Sequence, residues 1–448
     1  MKLKLAQVLL ALAWLRSTQC APTLDLPLGL DLPLDVPTVD LPWASPQASK
    51  VTLPFARRIN TADPGSASVV RFDQARAEFF RDRADGKFAG VTTATEAMQA
   101  AKVFHVPATA QVVSYVAEVQ IGNPPTNYSL LIDTGSSNTW VGADPLKPYM
   151  PSRTTMFTAN AVYVEYATGF FLGVQVTDEI TLAPGLTIKR QGIGAAVFAQ
   201  GFVVDGIMGI GPRGLTYGTL WPQTTKCIPT LMDNAYQQGL LENYVIGISF
   251  APSRNPSEMN GELTFGGIDQ SKYEGSLNYV PASGYVGIDQ SVKYGDTEIL
   301  RTTAGIIDTG TTLLLLASDA FSAYQTMTGA TMDAKTKFLT ISEEQYGSLK
   351  SMYFDIGGIS YELTPDAQLW PRSLNTNIGG DPDGYYLVVS DNGEASGTGL
   401  DFVNGMTWLE RFYTVYDIGN SRVGLAETKH TFSVSNVHHE VVLLEPAA

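Results

Sequence analysis

At 448 residues the chain is long enough for two domains, each with a core of its own. Its 42 Gly and 25 Pro are scattered among short runs rich in Val, Ile, Thr, Tyr and Phe, which reads as mostly β, with few helices. The net charge of −15 excludes a nucleic-acid binder, in which basic patches dominate.

The chain starts with Lys2 and Lys4, an apolar run through Leu15, and small or polar residues up to Cys20. That is the layout of a secretory signal peptide over residues 1–20, cleaved after Cys20, and the apolar run is too short to span a membrane. Removal would leave Cys227 as a lone, buried, inert thiol with no intrachain disulfide. From Thr23 to Pro42, Leu, Asp and Pro recur without helical or strand period, as an extended low-complexity segment. Residues 51–59 predict a short edge strand, and the spacing of Val69, Phe72, Ala75, Phe79 and Phe80 predicts a helix. Residues 50–102 hold nine Lys and Arg against six Asp and Glu, whereas residues 103–448 hold 17 against 34, a net of −17. A basic segment ahead of an acidic body predicts a pro-piece, residues 21–102, that caps the body electrostatically. The acidic body suits work at low pH, where protonation relieves its self-repulsion.

From Val103 the texture is β-like, and a hairpin turning at Asn123–Asn127 delivers Asp133; Asn127 also opens the one usable N-glycosylation triplet. Leu131-Ile132-Asp133-Thr134-Gly135-Ser136-Ser137 returns 175 positions later as Ile306-Ile307-Asp308-Thr309-Gly310-Thr311-Thr312. Each copy reads as strand, polar elbow, strand. Each is followed by an apolar run ending in Gly, Ile207-Met208-Gly209 in the first half and Phe402-Val403-Asn404-Gly405 in the second. A second hairpin has Tyr166, Ala167, Thr168 and Gly169 at its tip, and short helices are expected over 230–238, 318–329 and 342–351. The pattern reads as a duplication with N-terminal lobe 103–285 and C-terminal lobe 286–448.

Two elbows meeting face to face would hold Asp133 and Asp308 together so that they share a proton. One ionised Asp would activate water while its protonated partner polarises a carbonyl, with no metal or cofactor. The Gly after each Asp permits the tight turn, the Thr hydroxyls can bond across, and Ser136 and Thr311 are placed to donate to the outer carboxylate oxygens.

With these motifs, Trp140, Asn260-Gly261-Glu262-Leu263-Thr264-Phe265 and Leu409-Glu410-Arg411-Phe412-Tyr413, the sequence resembles the pepsin family of aspartic endopeptidases over residues 103–428, most nearly the polyporopepsin group secreted by basidiomycete fungi. The resemblance implies a bilobal pepsin-like fold with a cleft between duplicated β lobes, catalytic Asp133 and Asp308, and support from Thr134, Ser136, Thr309 and Thr311. It implies a flap in which Tyr166 hydrogen-bonds Trp140, while Thr168, Gly169, Gly135, Gly310 and Thr311 bind substrate backbone. It also implies an inhibitory pro-piece, with Arg81, Arg83, Lys87 and Lys102 as the candidate cations nearest the dyad. Protein and peptide substrates, apolar residues flanking the cut, an acidic working pH, a monomer and an extracellular location complete the expectation. Two features depart from the family pattern. Ala167 replaces a flap glycine, and the second apolar run carries Asn404.

The four His lack metal-ligand spacing, and the tail run 441–444 is too short for an anchor. A non-catalytic pepsin-like binding or inhibitor protein is the alternative from another class, but both elbows are whole.

Overall fold

The computed structural model describes residues 50–59, 69–85, 113–167 and 169–436. The signal-peptide, low-complexity and C-terminal tail expectations, and Lys87, Lys102 and Thr168, lie outside them. The architecture is two β-rich lobes, with one fourteen-stranded sheet, one of seven strands and one of three.

In the first half the strands are β1 (Val51–Ile59), β2 (Val113–Ile121), β3 (Thr126–Asp133), β4 (Thr139–Val141), β5 (Met156–Tyr166), β6 (Gly169–Ala183), β7 (Leu186–Gln200), β8 (Gly206–Gly209), β9 (Leu220–Trp221), β10 (Val245–Phe250) and β11 (Ser257–Phe265). The large sheet runs from Glu274–Pro281 through Arg422–Glu427, Phe412–Asp417, β10 and β11 to β1, and then through β2, β3, β8, β4, β7, β6 and β5 to β9.

β1 is therefore an interior strand, not an edge. It pairs with β11 from Val51 to Arg58, but with β2 only from Ala56 to Ile59. Pro54, which cannot donate to a ladder, falls where only one neighbour pairs, so the sheet tolerates it. Leu53, Phe55 and Ile59 point into the main core, and Phe55 packs edge-on against Tyr115 and Phe250. Each such burial contributes on the order of 1.5–3 kcal/mol.

Three helices match their expected places. α1 (Val69–Ala84) buries Val69, Phe72, Asp73, Arg76 and Phe80 along one face, the i, i+3, i+4, i+7 spacing of a helical stripe. α2 (Leu231–Gln237) opens with a capping box between Thr230 and Asp233, and α3 (Ser318–Thr328) ends on Gly329 in the left-handed conformation at φ 67°. The helix expected over 342–351 shortens to Glu343–Gly347, although its capping box from Ser342 to Gln345 is formed. No described helix is long and apolar enough to cross a membrane.

The lone thiol expected from the sequence belongs to a chain cut after Cys20; in the uncut chain Cys227 is buried. It is disulfide-bonded, and its partner lies outside the described residues.

Candidate active site at the joined elbows

The two elbows are built the same way. β3 runs parallel to β8, with Asp133 opposite Gly209, and β8 runs antiparallel to β4. In the second half Thr297–Ile307 runs parallel to Phe402–Asn404, which runs antiparallel to Leu314–Leu316. Each Asp thus leaves its strand where the chain must pass a neighbouring glycine closely. A Cβ on Gly209 would lie 2.6 Å from the Ser137 backbone, and one on Gly405 2.2 Å from the Leu313 carbonyl oxygen. Neither position admits a side chain. Asn404, the departure in the second run, is fully buried and exchanges two hydrogen bonds with Gln290, so its amide is satisfied.

A reciprocal lattice locks the elbows together. The Thr134 amide donates to the Thr309 hydroxyl at 3.0 Å and the Thr309 amide donates to the Thr134 hydroxyl at 3.0 Å. The hydroxyls donate onward across the interface, Thr134 to the Ile307 carbonyl and Thr309 to the Ile132 carbonyl. Both threonines therefore hold the loops and leave the carboxylates to other groups. Ser136 donates to Asp133 Oδ2, Thr311 donates to Asp308 Oδ2 at 2.5 Å, and the Gly135 and Gly310 amides donate to the two Oδ1 atoms at 3.0 and 3.2 Å.

The carboxylates face one another. A Cβ on Gly135 would lie 2.8 Å from Asp308 Oδ1, and one on Gly310 2.9 Å from Asp133 Oδ1, so each acid sits over the glycine of the other's loop. Both are fully buried. Burial and the charge of Asp308 push Asp133 above the usual carboxylate range against the pull of Arg76. Burial pushes Asp308 upward too, but the charge and hydrogen bonds of Arg76, with those of Thr311 and Gly310, carry it below that range.

Arg76, on the buried face of α1, is the cation between them. Its Nε donates to Asp308 Oδ2 at 2.6 Å, its Nη2 donates to Asp308 Oδ1 at 2.9 Å, and Nη2 also donates to Asp133 Oδ1. The described candidates from the sequence lie elsewhere. Arg81 donates to the Asn392 carbonyl and Arg83 to the Leu215 carbonyl. One helical turn before Arg76, fully buried Asp73 accepts from the backbone amides of Thr312 and Leu313, the latter at 2.7 Å. Desolvation raises Asp73 to about 7 despite those two donors. Neither Arg76 nor Asp73 stands out in the sequence by charge, but both fall in phase with the apolar face of the helix.

The hairpin of β5 and β6 carries the residues expected to form a flap. Tyr166 and Gly169 close it, and Ala167 is not among the described residues with positive φ, so the missing glycine imposes no such strain. Trp140 Nε1 donates to the Tyr166 hydroxyl at 2.8 Å, and the indole stacks on Phe171 with centroids 4.3 Å apart. Phe202, which the sequence did not single out, packs edge-on against both Trp140 and Tyr166. Gly169 must be small because a Cβ there would lie 2.1 Å from the Gln200 carbonyl oxygen. Phe80 of α1, beside Gly135, packs edge-on against Tyr285 at 5.2 Å.

Two buried carboxylates on duplicated elbows, locked by reciprocal threonines and covered by a hairpin, define the architecture of an aspartic protease. The eukaryotic aspartyl protease family model matches residues 114–428, and the chain belongs to that family, an aspartic-type endopeptidase. It is 52% identical to polyporopepsin from Irpex lacteus over 339 residues, 74% of this chain and 99% of that one. Cathepsin E-A from Xenopus laevis is 31% identical over 346 residues, covering 70% and 79% of the two chains. The crystal structure of the aspartic proteinase from Irpex lacteus superposes with a TM-score of 0.70 at 51% identity, covering 72% of this chain and 96% of that one.

Proposed function

We propose that the chain is a secreted endopeptidase that cuts proteins at acidic pH, with Asp133 and Asp308 as its catalytic pair and residues 21–102 as an inhibitory pro-piece. The observation that carries this is the opposed pair of carboxylates, each over the other's glycine and both held by Arg76. With Arg76 withdrawn, nothing neutralises two buried like charges, so the pair retains one proton. The ionised member takes a proton from a water held between them, and the hydroxide forms a bond to the scissile carbonyl carbon. The protonated member hydrogen-bonds the carbonyl oxygen as it becomes anionic. Proton delivery to the nitrogen then lets the C–N bond break and restores the pair. Ser136 and Thr311 hold the outer oxygens, Thr134 and Thr309 fix the loop spacing, Gly135, Gly310, Thr311, Thr168 and Gly169 would bind the substrate backbone, and Tyr166, hydrogen-bonded to Trp140, would cover the residue before the scissile bond.

While Arg76 holds both carboxylates and α1 fills the cleft, neither water nor peptide can enter, which makes this the latent state. The preference for apolar flanking residues is supported by Phe80, which packs on Tyr285 and beside Gly135 in the cleft. Secretion is supported by Lys2, Lys4 and the apolar run to Leu15. The test is casein hydrolysis at about pH 3.5 by Asp133→Asn and by Asp308→Asn, each expected to lower turnover by about three orders of magnitude or more. Activity that survives either change sinks the assignment.

A further inference from the structure

A second arginine of the N-terminal segment is buried away from the dyad. Arg57 of β1 is 2% exposed, and its Nη1 donates to Glu410 Oε1 at 3.2 Å and to the Ser253 carbonyl at 3.3 Å. Its guanidinium carbon lies 5.4 Å from the ring centre of Trp370, and its amide donates to Asn260 Oδ1. Tyr115 donates to the same Glu410 oxygen at 2.6 Å, and Asn260 donates to the Tyr115 hydroxyl. Nε and Nη2 of Arg57 have no hydrogen-bond partner among the described residues.

For a strand, this placement is costly. Leu53, Phe55, Arg57 and Ile59 alternate inward, so a cation occupies a position that the alternation assigns to an apolar side chain. A buried pair of charges loses its hydration and rarely adds net stability over apolar residues of the same volume. What it supplies is discrimination. A slip of one residue would bring Ala56 or Arg58 to the pocket and turn Leu53 and Phe55 outward.

We propose that Tyr115, Ser253, Asn260, Trp370 and Glu410 form a guanidinium-recognition site for an arginine carried on an extended strand, with Arg57 its occupant in the full chain. The site retains residues 51–59 on the body independently of Arg76. It deepens the latency reading by giving the N-terminal segment a second point of attachment, and it shares no residue with the site at the dyad.

Hydrogen exchange of the full chain at neutral pH, which involves no turnover, tests it. Arg57→Leu is expected to speed exchange across 51–59 by about tenfold or more while 69–84 keeps its protection. Glu410→Gln, which preserves volume, changes 51–59 in the same direction and serves if Arg57→Leu does not fold. The double variant Arg57→Leu with Glu410→Leu restores most of the protection, because both charges are gone. Unchanged exchange over 51–59 in both single variants, or opening of 69–84 to the same extent, overturns the proposal. Arg76→Leu is the control, expected to open 69–84 alone; a null result there counts against the latency reading instead.

Discussion

Asp73 and Asp308 respond to pH in opposite directions, although they sit at the same elbow. The carboxyl of Asp308 is held below its usual range, so its contribution to docking α1 is present above that range and is lost as pH falls through the lowered value. Asp73 is raised to about 7 in the docked helix against 3.8 when free. The docked state therefore binds its proton more tightly, and Asp73 favours docking below 3.8 and increasingly opposes it as pH climbs toward 7. In the proposed acid release, undocking of α1 is thus driven at the dyad and resisted at Asp73. Asp73→Asn keeps the shape, and its carbonyl oxygen can replace Oδ2, which accepts from both amides. The variant is expected to hold α1 more firmly at neutral pH, slowing amide exchange in 69–84 by about tenfold. Below pH 4 it should match the parent. Faster exchange at neutral pH would mean that Asp73 docks as an ionised group.

The flap and β1 show where sequence reasoning reaches and where it stops. Trp140 and Tyr166 were legible only through the family resemblance, and their contact follows once β4 and β5 join the same sheet. The elbows were legible because the pattern is local and repeated. The interior position of β1 was not, since its partners, β11 and β2, are set by pairings such as Arg57 with Glu258, about two hundred residues apart. Choosing among cations by charge missed Arg76, whereas helical phase singles it out beside Asp73. At the flap, Tyr166→Phe removes the acceptor for Trp140 Nε1 while keeping the ring packed on Phe202. The lost bond is worth about 1 kcal/mol, so the flap should be held less firmly, with kcat/KM for a peptide substrate falling about fivefold and the melting temperature falling slightly. An undiminished rate would reduce the pair to packing.

For the whole molecule, the acidic body and the basic segment ahead of it fit the proposed acid-activated design: with 17 cations against 34 anions after residue 102, protonation would relieve self-repulsion, and Arg57 and Arg76 enter that body at separate points. The fold class, the two lobes and the candidate pair were accessible from composition and repetition. The disulfide at Cys227 was not, because the expected cleavage after Cys20 removes the only other cysteine of the sequence.

Among the described residues, β1 is also the sole strand joining two parts of the large sheet, five strands on the β11 side and eight on the β2 side. While it is present, disorder in one part must break hydrogen bonds held by the other, so heating the full chain should give a single calorimetric transition. Once residues 51–59 have gone and nothing takes their place, that coupling is cut, and the two parts are expected to melt separately. Differential scanning calorimetry before and after processing reads this directly; one transition in both samples would show that contacts outside this sheet hold the two parts together instead.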